Sequence, residues 1–162
     1  MTGRLLERLT VATPEEMHEL GLRLARNLKA GDLVLLTGPL GAGKTTLTRG
    51  VGEGLGTIGA VSSPTFVIAR THQREGSQTP LVHVDAYRLS NPAEFDDLDI
   101  DIDGSIVLVE WGRGFTEGLV DDWLDIEIDR ASEDDSRVVT ITGHGPASVS
   151  YTHLTLPTNR EV

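Results

Sequence analysis

The segment "GPLGAGKT", from Gly38 to Thr45, has the residue types and spacing of a loop that holds phosphate groups. It matches the pattern GxxxxGK[ST], in which glycines let backbone N–H groups turn inward around phosphate oxygens. Lys44 would supply a positive charge to the β and γ phosphates of a nucleotide, and Thr45 would supply a hydroxyl to Mg²⁺. The alternative is a chance glycine-rich turn, but an apolar run precedes the segment and a helical pattern follows it, as a phosphate loop requires.

The segment "DIDIDGSIVLVEWGRG", residues 99–114, places one carboxylate in two competing patterns. With Glu110 as the last member, its acidic residues and Gly104 fill the calcium-loop pattern D-x-[DN]-x-[DN]-G-x5-E. A calcium loop is followed by a helix, whereas Glu110 lies between β-branched and aromatic residues and precedes "GRG". We therefore predict that Glu110 ends a strand, where it would hold Mg²⁺ directly or through water, or orient the attacking water. The alternative is a surface glutamate, and a solvated loop is expected for Asp99, Asp101 and Asp103.

Two further segments carry candidate groups. Thr65, in "SSPTF", would sense a γ phosphate, or else belong to a proline turn capped by serine. Asp85, in "HVDAYR", ends another short strand and is a candidate second carboxylate for Mg²⁺ or for activation of water, with a structural contact to Arg88 as the alternative. His83 is expected to be a packed strand residue, and Trp111 a core or rim anchor.

These side chains need a framework of alternating helices and strands. Thr13 is predicted to N-cap a helix that runs to about Lys29, because Pro14 and Glu16 suit its first turn. "DLVLLT" is predicted as a buried strand, followed after the phosphate loop by a helix that ends near Leu55. Further strands are predicted at 66–70, 81–85, 106–110, 124–129 and 137–142. The expected fold class is α/β, with a P-loop NTPase-like central sheet, mostly parallel with antiparallel strands added, and helices on both faces.

Composition limits the classes of protein that fit. The chain has 162 residues, of which 38% are hydrophobic, so one domain with a real core is expected. Cysteine chemistry is excluded because the sequence contains no cysteine. The formal net charge is −11 and the two lysines are Lys29 and Lys44, so tight autonomous binding to nucleic acid is not expected. The apolar runs are too short for a membrane span, which predicts a soluble, cytoplasmic protein.

The last fifteen residues of the chain differ in composition and pattern from the rest. We interpret residues 1–147 as a single P-loop ATPase domain. Residues 148–162, which include "VSYTHLTLPTNREV", have no hydrophobic period and no continuity with the strand before them. This end resembles the translation of a sequencing-library adaptor read in frame, so we predict a non-native tail, with an ordinary disordered tail as the alternative.

The nucleotide is predicted to be ATP. GTPases usually read guanine with an N/TKxD segment, and neither lysine lies in one, because Lys29 is followed by "AG" and Lys44 by "TT". Small-molecule P-loop kinases generally add an arginine-bearing lid over the acceptor, and no insertion of that kind is evident. A small-molecule kinase stays open as the alternative function, and a non-hydrolysing nucleotide-dependent scaffold as a third.

Four segments in this order and spacing resemble the TsaE (YjeE-type) family: "TGPLGAGKTT", "SPTF", "HVDAYRL" and "VLVEWG". The resemblance runs from about Val11 to Pro146. It implies the ATPase subunit of bacterial tRNA threonylcarbamoyladenosine synthesis, acting with TsaB and TsaD type subunits that carry the transfer to the adenosine beside the anticodon of ANN-decoding tRNAs. This chain would then contact tRNA only indirectly, in agreement with its lack of a basic patch.

The resemblance also implies roles for individual residues. Thr45 and Glu110 would be the Mg²⁺ positions, and Asp85 would be required for activity. The expected catalytic set consists of Lys44, Thr65, Asp85 and Glu110. The positions expected to hold ATP are Thr13, Gly38, Gly41, Ala42, Gly43, Lys44, Thr45, Thr46 and Arg137. The implied activity is a low ATP hydrolysis that partner subunits stimulate, rather than modification of RNA by this chain itself.

Overall fold

Strands and helices alternate in the first half of the chain, whereas strands predominate in the second half. The computed structural model describes residues 4–39, 41–59, 69–116, 119–130 and 136–145. The helices within these ranges are α1 (Pro14–Ala25), α2 (Lys44–Leu55) and the short α3 (Pro92–Asp96), with one 3-10 turn at Ala86–Arg88. The strands are β1 (Arg4–Val11), β2 (Leu33–Thr37), β3 (Ala69–Arg74), β4 (Ser77–Asp85), β5 (Ile106–Glu110), β6 (Trp123–Arg130) and β7 (Arg137–His144).

The strands form one sheet in the order β1-β7-β6-β2-β5-β4-β3. Its centre is parallel, because β2 pairs in parallel with β5 and with β6, and β4 pairs in parallel with β5. The outer pairings are antiparallel, namely β1 with β7, β6 with β7, and β3 with β4. The predicted α/β class, mostly parallel with antiparallel strands added, is confirmed.

The topology brings separate parts of the chain to one edge of the sheet. The carboxyl ends of parallel strands meet at the same edge, and the register places Glu110 opposite both Leu36 and Asp85. Since β7 runs the other way, its first residue, Arg137, lies at that edge, and Val11 at the end of β1 lies opposite it. The phosphate loop also starts from this edge, because it follows β2.

Helices α1 and α2 pack together on one face of the sheet at unusually short separation. A Cβ added at Gly21 would overlap the backbone of α2, and one added at Gly50 would overlap the carbonyl of His18. Buried leucines complete the contact, among them Leu20 and Leu47, which are fully buried. The middle parts of α1 and α2 are therefore in close backbone contact.

The opposite face of the sheet is covered by α3 and the segments around it. Phe95 of α3 packs on the buried valines of β4 and β5, and half-buried side chains extend this layer, including Ile100, Ile102 and Phe115. Helices therefore lie on both faces as predicted, although α3 has only five residues. Within the described ranges, no helix is both long enough and apolar enough to cross a membrane.

Several element boundaries differ from the predictions. Helix α1 ends at Ala25 rather than near Lys29, because the next residues close turns back onto Arg23, Leu24 and Ala25 while Leu28 stays in the core. Strand β3 covers residues 69–74, whereas the prediction was 66–70, of which 66–68 lie outside the described residues. Strand β1 and helix α3 were not predicted. The proposed tail at 148–162 also lies outside the described residues.

Candidate functional site

The phosphate-loop segment joins β2 to α2 as its pattern predicts. Gly41 and Gly43 have φ values of 80° and 111°, which side chains other than glycine rarely adopt. Gly43 is the N-cap of α2 and, within the described ranges, no side chain caps that helix. The first-turn N–H groups and the positive end of the helix dipole therefore face the loop, which is the arrangement that binds phosphate.

Lys44 is folded across this loop rather than extended into solvent. Its Nζ donates a hydrogen bond to the carbonyl of Gly38, lies 4.0 Å from Glu110 Oε1 and lies 4.6 Å from the centroid of the Trp111 ring. The Lys44 side chain is only 10% exposed. An ammonium group on a side chain with so little exposure needs such partners, and they hold its charge against the loop.

The two predicted carboxylates end adjacent parallel strands. Glu110 is buried and its Oε2 lies 2.7 Å from His83 Nε2, while Asp85 is its direct neighbour in the β4–β5 register. Asp85 accepts a hydrogen bond from the N–H of Tyr87 at 3.1 Å and thereby caps the 3-10 turn. No ion pair joins Asp85 to Arg88 in the described part of the chain, so the structural alternative for Asp85 is a helix cap instead.

These groups have the chemistry of a magnesium site that is completed by a ligand. Among the described residues, no three acidic, histidine or cysteine side chains cluster closely enough to hold a metal ion by themselves. Mg²⁺ commonly takes one or two carboxylates and completes its shell with phosphate oxygens and water. The Thr45 hydroxyl and the Glu110 and Asp85 carboxylates are oxygen donors of that kind, so the residues fit Mg²⁺ bound together with a nucleotide.

The calcium pattern does not form a calcium site. Asp99, Asp101 and Asp103 are exposed, as predicted, and Asp101 Oδ1 accepts a hydrogen bond from the Gly104 N–H at 3.1 Å. Glu110, the last member of the pattern, is instead buried in β5 against His83. The acidic loop and the strand carboxylate are therefore separate features.

An aromatic pair lies beside Lys44 and was not predicted. The Tyr87 and Trp111 rings have centroids 5.7 Å apart, and both rings are partly exposed, so Trp111 is a rim residue. The Trp111 backbone has a φ of 60°, which is strained for a large side chain, and its N–H donates to the Leu36 carbonyl at 3.0 Å. The strained residue turns the chain directly after Glu110 and directs the ring over Lys44.

A cleft of about 150 Å³ adjoins the other side of the loop. Its walls come from β1, the start of α1, the loop, the first turn of α2 and β7, and comprise Val11, Thr13, Pro14, Met17, Gly41, Ala42, Gly43, Thr46 and Arg137. Thr13 Oγ1 caps α1 by accepting from the Glu16 N–H at 3.1 Å. Arg137 Nε donates to the Ala42 carbonyl at 3.2 Å, and its Nη2 donates to the Gly41 carbonyl at 3.3 Å. The predicted positions Thr13 and Arg137 therefore both lie at the loop.

Thr65 lies outside the described residues, so its predicted role stays a prediction. Arg130 was not predicted, yet its Nη2 would lie 3.0 Å from a Cβ added at Gly41. Arg130 also pairs with Arg137 across β6 and β7. Arg130 reaches the loop because β6 lies beside β2 in the sheet, so no local sequence signal indicated it.

The side chains of His72 and Arg113 have pKa values shifted from their ordinary values. Burial lowers the pKa of His72, and the nearby His83 and Arg70 lower it further. Hydrogen bonding to Asp125 raises the pKa of Arg113, whose Nε and Nη2 each donate to that carboxylate at 2.9 Å. The Arg113–Asp125 pair anchors the segment after β5 to β6, while His72 lies on β3, at the edge of the sheet beside β4.

The parallel centre of the sheet, with a glycine loop leading from its middle strand into a helix N-terminus, defines a mixed α/β protein with a strand–loop–helix unit at the centre of its sheet. The family model described as threonylcarbamoyl adenosine biosynthesis protein TsaE matches residues 11–139, and the chain belongs to that family.

Individual relatives agree with the family match. The tRNA threonylcarbamoyladenosine biosynthesis protein TsaE of Streptomyces coelicolor is 60% identical over 135 residues, covering 80% of this chain and 91% of the relative. The protein of the same name from Bacillus subtilis is 41% identical over 133 residues, covering 82% of each. The crystal structure of YdiB from Bacillus subtilis is similar with a TM-score of 0.74 at 30% identity, covering 100% of this chain and 99% of that one.

Proposed function

We propose that this chain is an ATP-hydrolysing subunit required to form the threonylcarbamoyl group on the adenosine beside the anticodon of ANN-decoding tRNAs. It would act with TsaB and TsaD type proteins, which would carry out the transfer itself. The name of the family, threonylcarbamoyl adenosine biosynthesis protein TsaE, supports the assignment to this process. The main support for the proposed ATPase activity is that Lys44, Glu110 and Asp85 lie together at one end of the phosphate loop.

Binding of the phosphates would use the loop and the start of α2. Lys44 would exchange its contact with the Gly38 carbonyl for β and γ phosphate oxygens, keeping its charge where it already lies. The uncapped N-terminus of α2 would supply backbone donors to the same anion. This assignment is supported by the positive φ values of Gly41 and Gly43, a conformation that glycine adopts without strain and that suits backbone N–H groups turned toward an anion.

Hydrolysis would use the carboxylates at the ends of β4 and β5. Thr45 and Glu110 would hold Mg²⁺, which when bound neutralises charge that develops on the transferred phosphoryl group. Asp85, beside Glu110 in the register, would orient the attacking water and accept its proton. Trp111 would cover this region and limit the access of bulk water, since its ring already lies over Lys44.

The adenosine part would occupy the cleft on the other side of the loop. Val11 and Met17 offer apolar surface to a base, while Thr13 and Arg137 offer polar groups at its border. Arg137 would also stabilise the loop through its two backbone contacts. Because no basic stripe accompanies the net charge of −11, tRNA would be held by the partner proteins, in the cytoplasm where tRNA is modified.

The test is ATP turnover with and without the partners. The purified chain with ATP and Mg²⁺ should release free phosphate slowly, and the TsaB and TsaD type proteins should stimulate that release. Transfer of the phosphate to a metabolite would instead identify a small-molecule kinase. Binding of ATP with no turnover under either condition would identify a non-hydrolysing scaffold.

The two lysines provide a matched control for the same assay. Lys44→Ala should abolish ATP binding because the phosphates lose their charged partner. Lys29→Ala removes the same charge from an exposed side chain that pairs with Asp32, and should leave binding and turnover unchanged. Equal losses in both variants would mean that a general charge effect, rather than the loop, determines binding.

A further inference from the structure

A buried hydrogen bond joins Glu110 to a histidine that the proposed mechanism does not use. His83 is fully buried in β4, and its Nε2 lies 2.7 Å from Glu110 Oε2. An ionised carboxylate can only accept hydrogen bonds, so His83 Nε2 is the donor. The carboxylate is thereby held at one of its two oxygens.

The other oxygen of Glu110 is directed toward the phosphate loop. Oε1 is the atom that lies 4.0 Å from Lys44 Nζ, on the side where a nucleotide and its metal would bind. A carboxylate free to rotate would present either oxygen to this space, or neither. The bond from His83 removes that freedom and leaves one oxygen available as a single ligand.

The surroundings of His83 argue against a role in packing alone. Its Nδ1 is buried and has no hydrogen-bond partner among the described residues. An apolar side chain of similar volume would fill the same position without burying an unsatisfied nitrogen, which costs free energy. The imidazole is therefore explained by its one polar contact, the bond to Glu110.

We infer that His83 is a positioning residue, which orients the Glu110 carboxylate so that Oε1 faces the metal of a bound Mg²⁺–ATP complex. This inference rests on the proposed function, because it assigns Glu110 to the metal. Outer partners that orient a metal ligand typically change metal affinity by about 10–100-fold when they are removed.

The test measures the metal and the nucleotide separately. The whole chain is saturated with a non-hydrolysable ATP analogue and titrated with Mn²⁺, with free Mn²⁺ followed by electron paramagnetic resonance. Affinity for the analogue alone is measured in the presence of a chelator, and folding is checked by thermal unfolding. His83→Leu should weaken Mn²⁺ binding at least about tenfold while affinity for the analogue without metal stays unchanged.

Two variants separate orientation from general packing. His83→Gln places an amide donor close to the position of Nε2, so it should restore most of the Mn²⁺ affinity. His72→Leu removes a second buried histidine, one strand further from β5, and should leave Mn²⁺ binding unchanged. Equal weakening in His83→Leu and His83→Gln would overturn the inference, as would wild-type affinity in His83→Leu.

The remaining outcomes also decide between explanations. If His83→Leu does not fold while His83→Gln does and binds Mn²⁺ normally, His83→Asn is measured, because its shorter amide retains polarity but cannot reach Glu110. A folded His83→Asn with weak Mn²⁺ binding supports the inference. If neither His83→Leu nor His83→Asn folds, His83 is required for stability and the inference is overturned. A wild-type chain that binds no analogue contradicts the proposed function itself. Weak Mn²⁺ binding in Glu110→Gln with normal binding in His83→Leu contradicts this inference alone.

Discussion

Substitution of Gly50 by alanine tests the close contact between α1 and α2. The added Cβ would overlap the His18 carbonyl and would lie 3.0 Å from Gly21 Cα and 3.1 Å from the His18 carbonyl carbon. All three neighbours are backbone atoms, so no side chain can rotate away and the helices themselves must separate. Overpacking of this kind typically costs about 1–3 kcal/mol, and the upper end applies here because the obstacle is backbone.

The helix itself partly compensates for this cost. Alanine is favoured over glycine inside a helix by about 1 kcal/mol. The net loss in the free energy of unfolding should therefore be about 2 kcal/mol, taking about 3 for the overlap and subtracting the helical gain. For a domain of about 150 residues, each kcal/mol lowers the midpoint temperature by about 2–4 °C, so a decrease of about 4–8 °C is expected.

Thermal and urea unfolding, followed by circular dichroism, provide the measurement. Arg49→Ala is the control, because it makes a change on the exposed side of the same helix and should stay within about 0.5 kcal/mol of the parent. The urea m-value should be unchanged in both variants, since the native fold is the same. A midpoint temperature for Gly50→Ala equal to or above that of Arg49→Ala would refute the close-packing argument.

Three further predictions concern the site and its surroundings. Glu110→Gln should retain ATP binding and lose Mg²⁺-dependent turnover, because an amide replaces the anionic ligand. Full turnover of this variant in a phosphate-release assay would exclude Glu110 from the mechanism. Arg137→Met should weaken ATP affinity about tenfold, because charge-assisted hydrogen bonds to the loop carbonyls are lost. The control Arg8→Met, at an exposed position, should leave ATP affinity unchanged. Calorimetric titration compares the two variants, and equal affinities would refute the role of Arg137. Burial lowers the pKa of His72, so below about pH 6.5 the unfolded state gains a proton that the folded state does not, and stability should fall as the pH decreases. Replacement by leucine, His72→Leu, should reduce that pH dependence in urea unfolding, and an unchanged dependence would contradict it.

Local patterns predicted the centre of the fold well. The run at β2, the phosphate loop and α2 were predicted because apolar residues, glycines and a helical period follow one another without interruption. The strand ending at Glu110 was predicted with its exact bounds, because "IVLVE" is apolar up to one carboxylate and a glycine soon follows. The exposed acidic loop was predicted from its charges, and the flanks of Glu110 correctly outweighed the calcium pattern.

Features that depend on pairing between distant strands were not predicted. Strand β1 mixes charged and apolar residues at an edge of the sheet, so its pattern gives no clear period. The contact between His83 and Glu110 requires β4 and β5 to be neighbours in one register, and neither sequence segment indicates the other. Arg130 likewise reaches the loop only because β6 lies beside β2. Helix α3 had a local signal, Asn91 with Pro92 and Glu94, but is short enough to be overlooked.

The position of β2 in the middle of the sheet divides the proposed work between two groups of strands. On one side, β7 and β1 bring Arg137 and the start of α1 to the cleft proposed for the base. On the other side, β5 and β4 bring Glu110 and Asp85 to the phosphate end. Under the proposed function, selectivity for the base and the rate of hydrolysis would depend on substitutions in different strands, so each could change during evolution without the other.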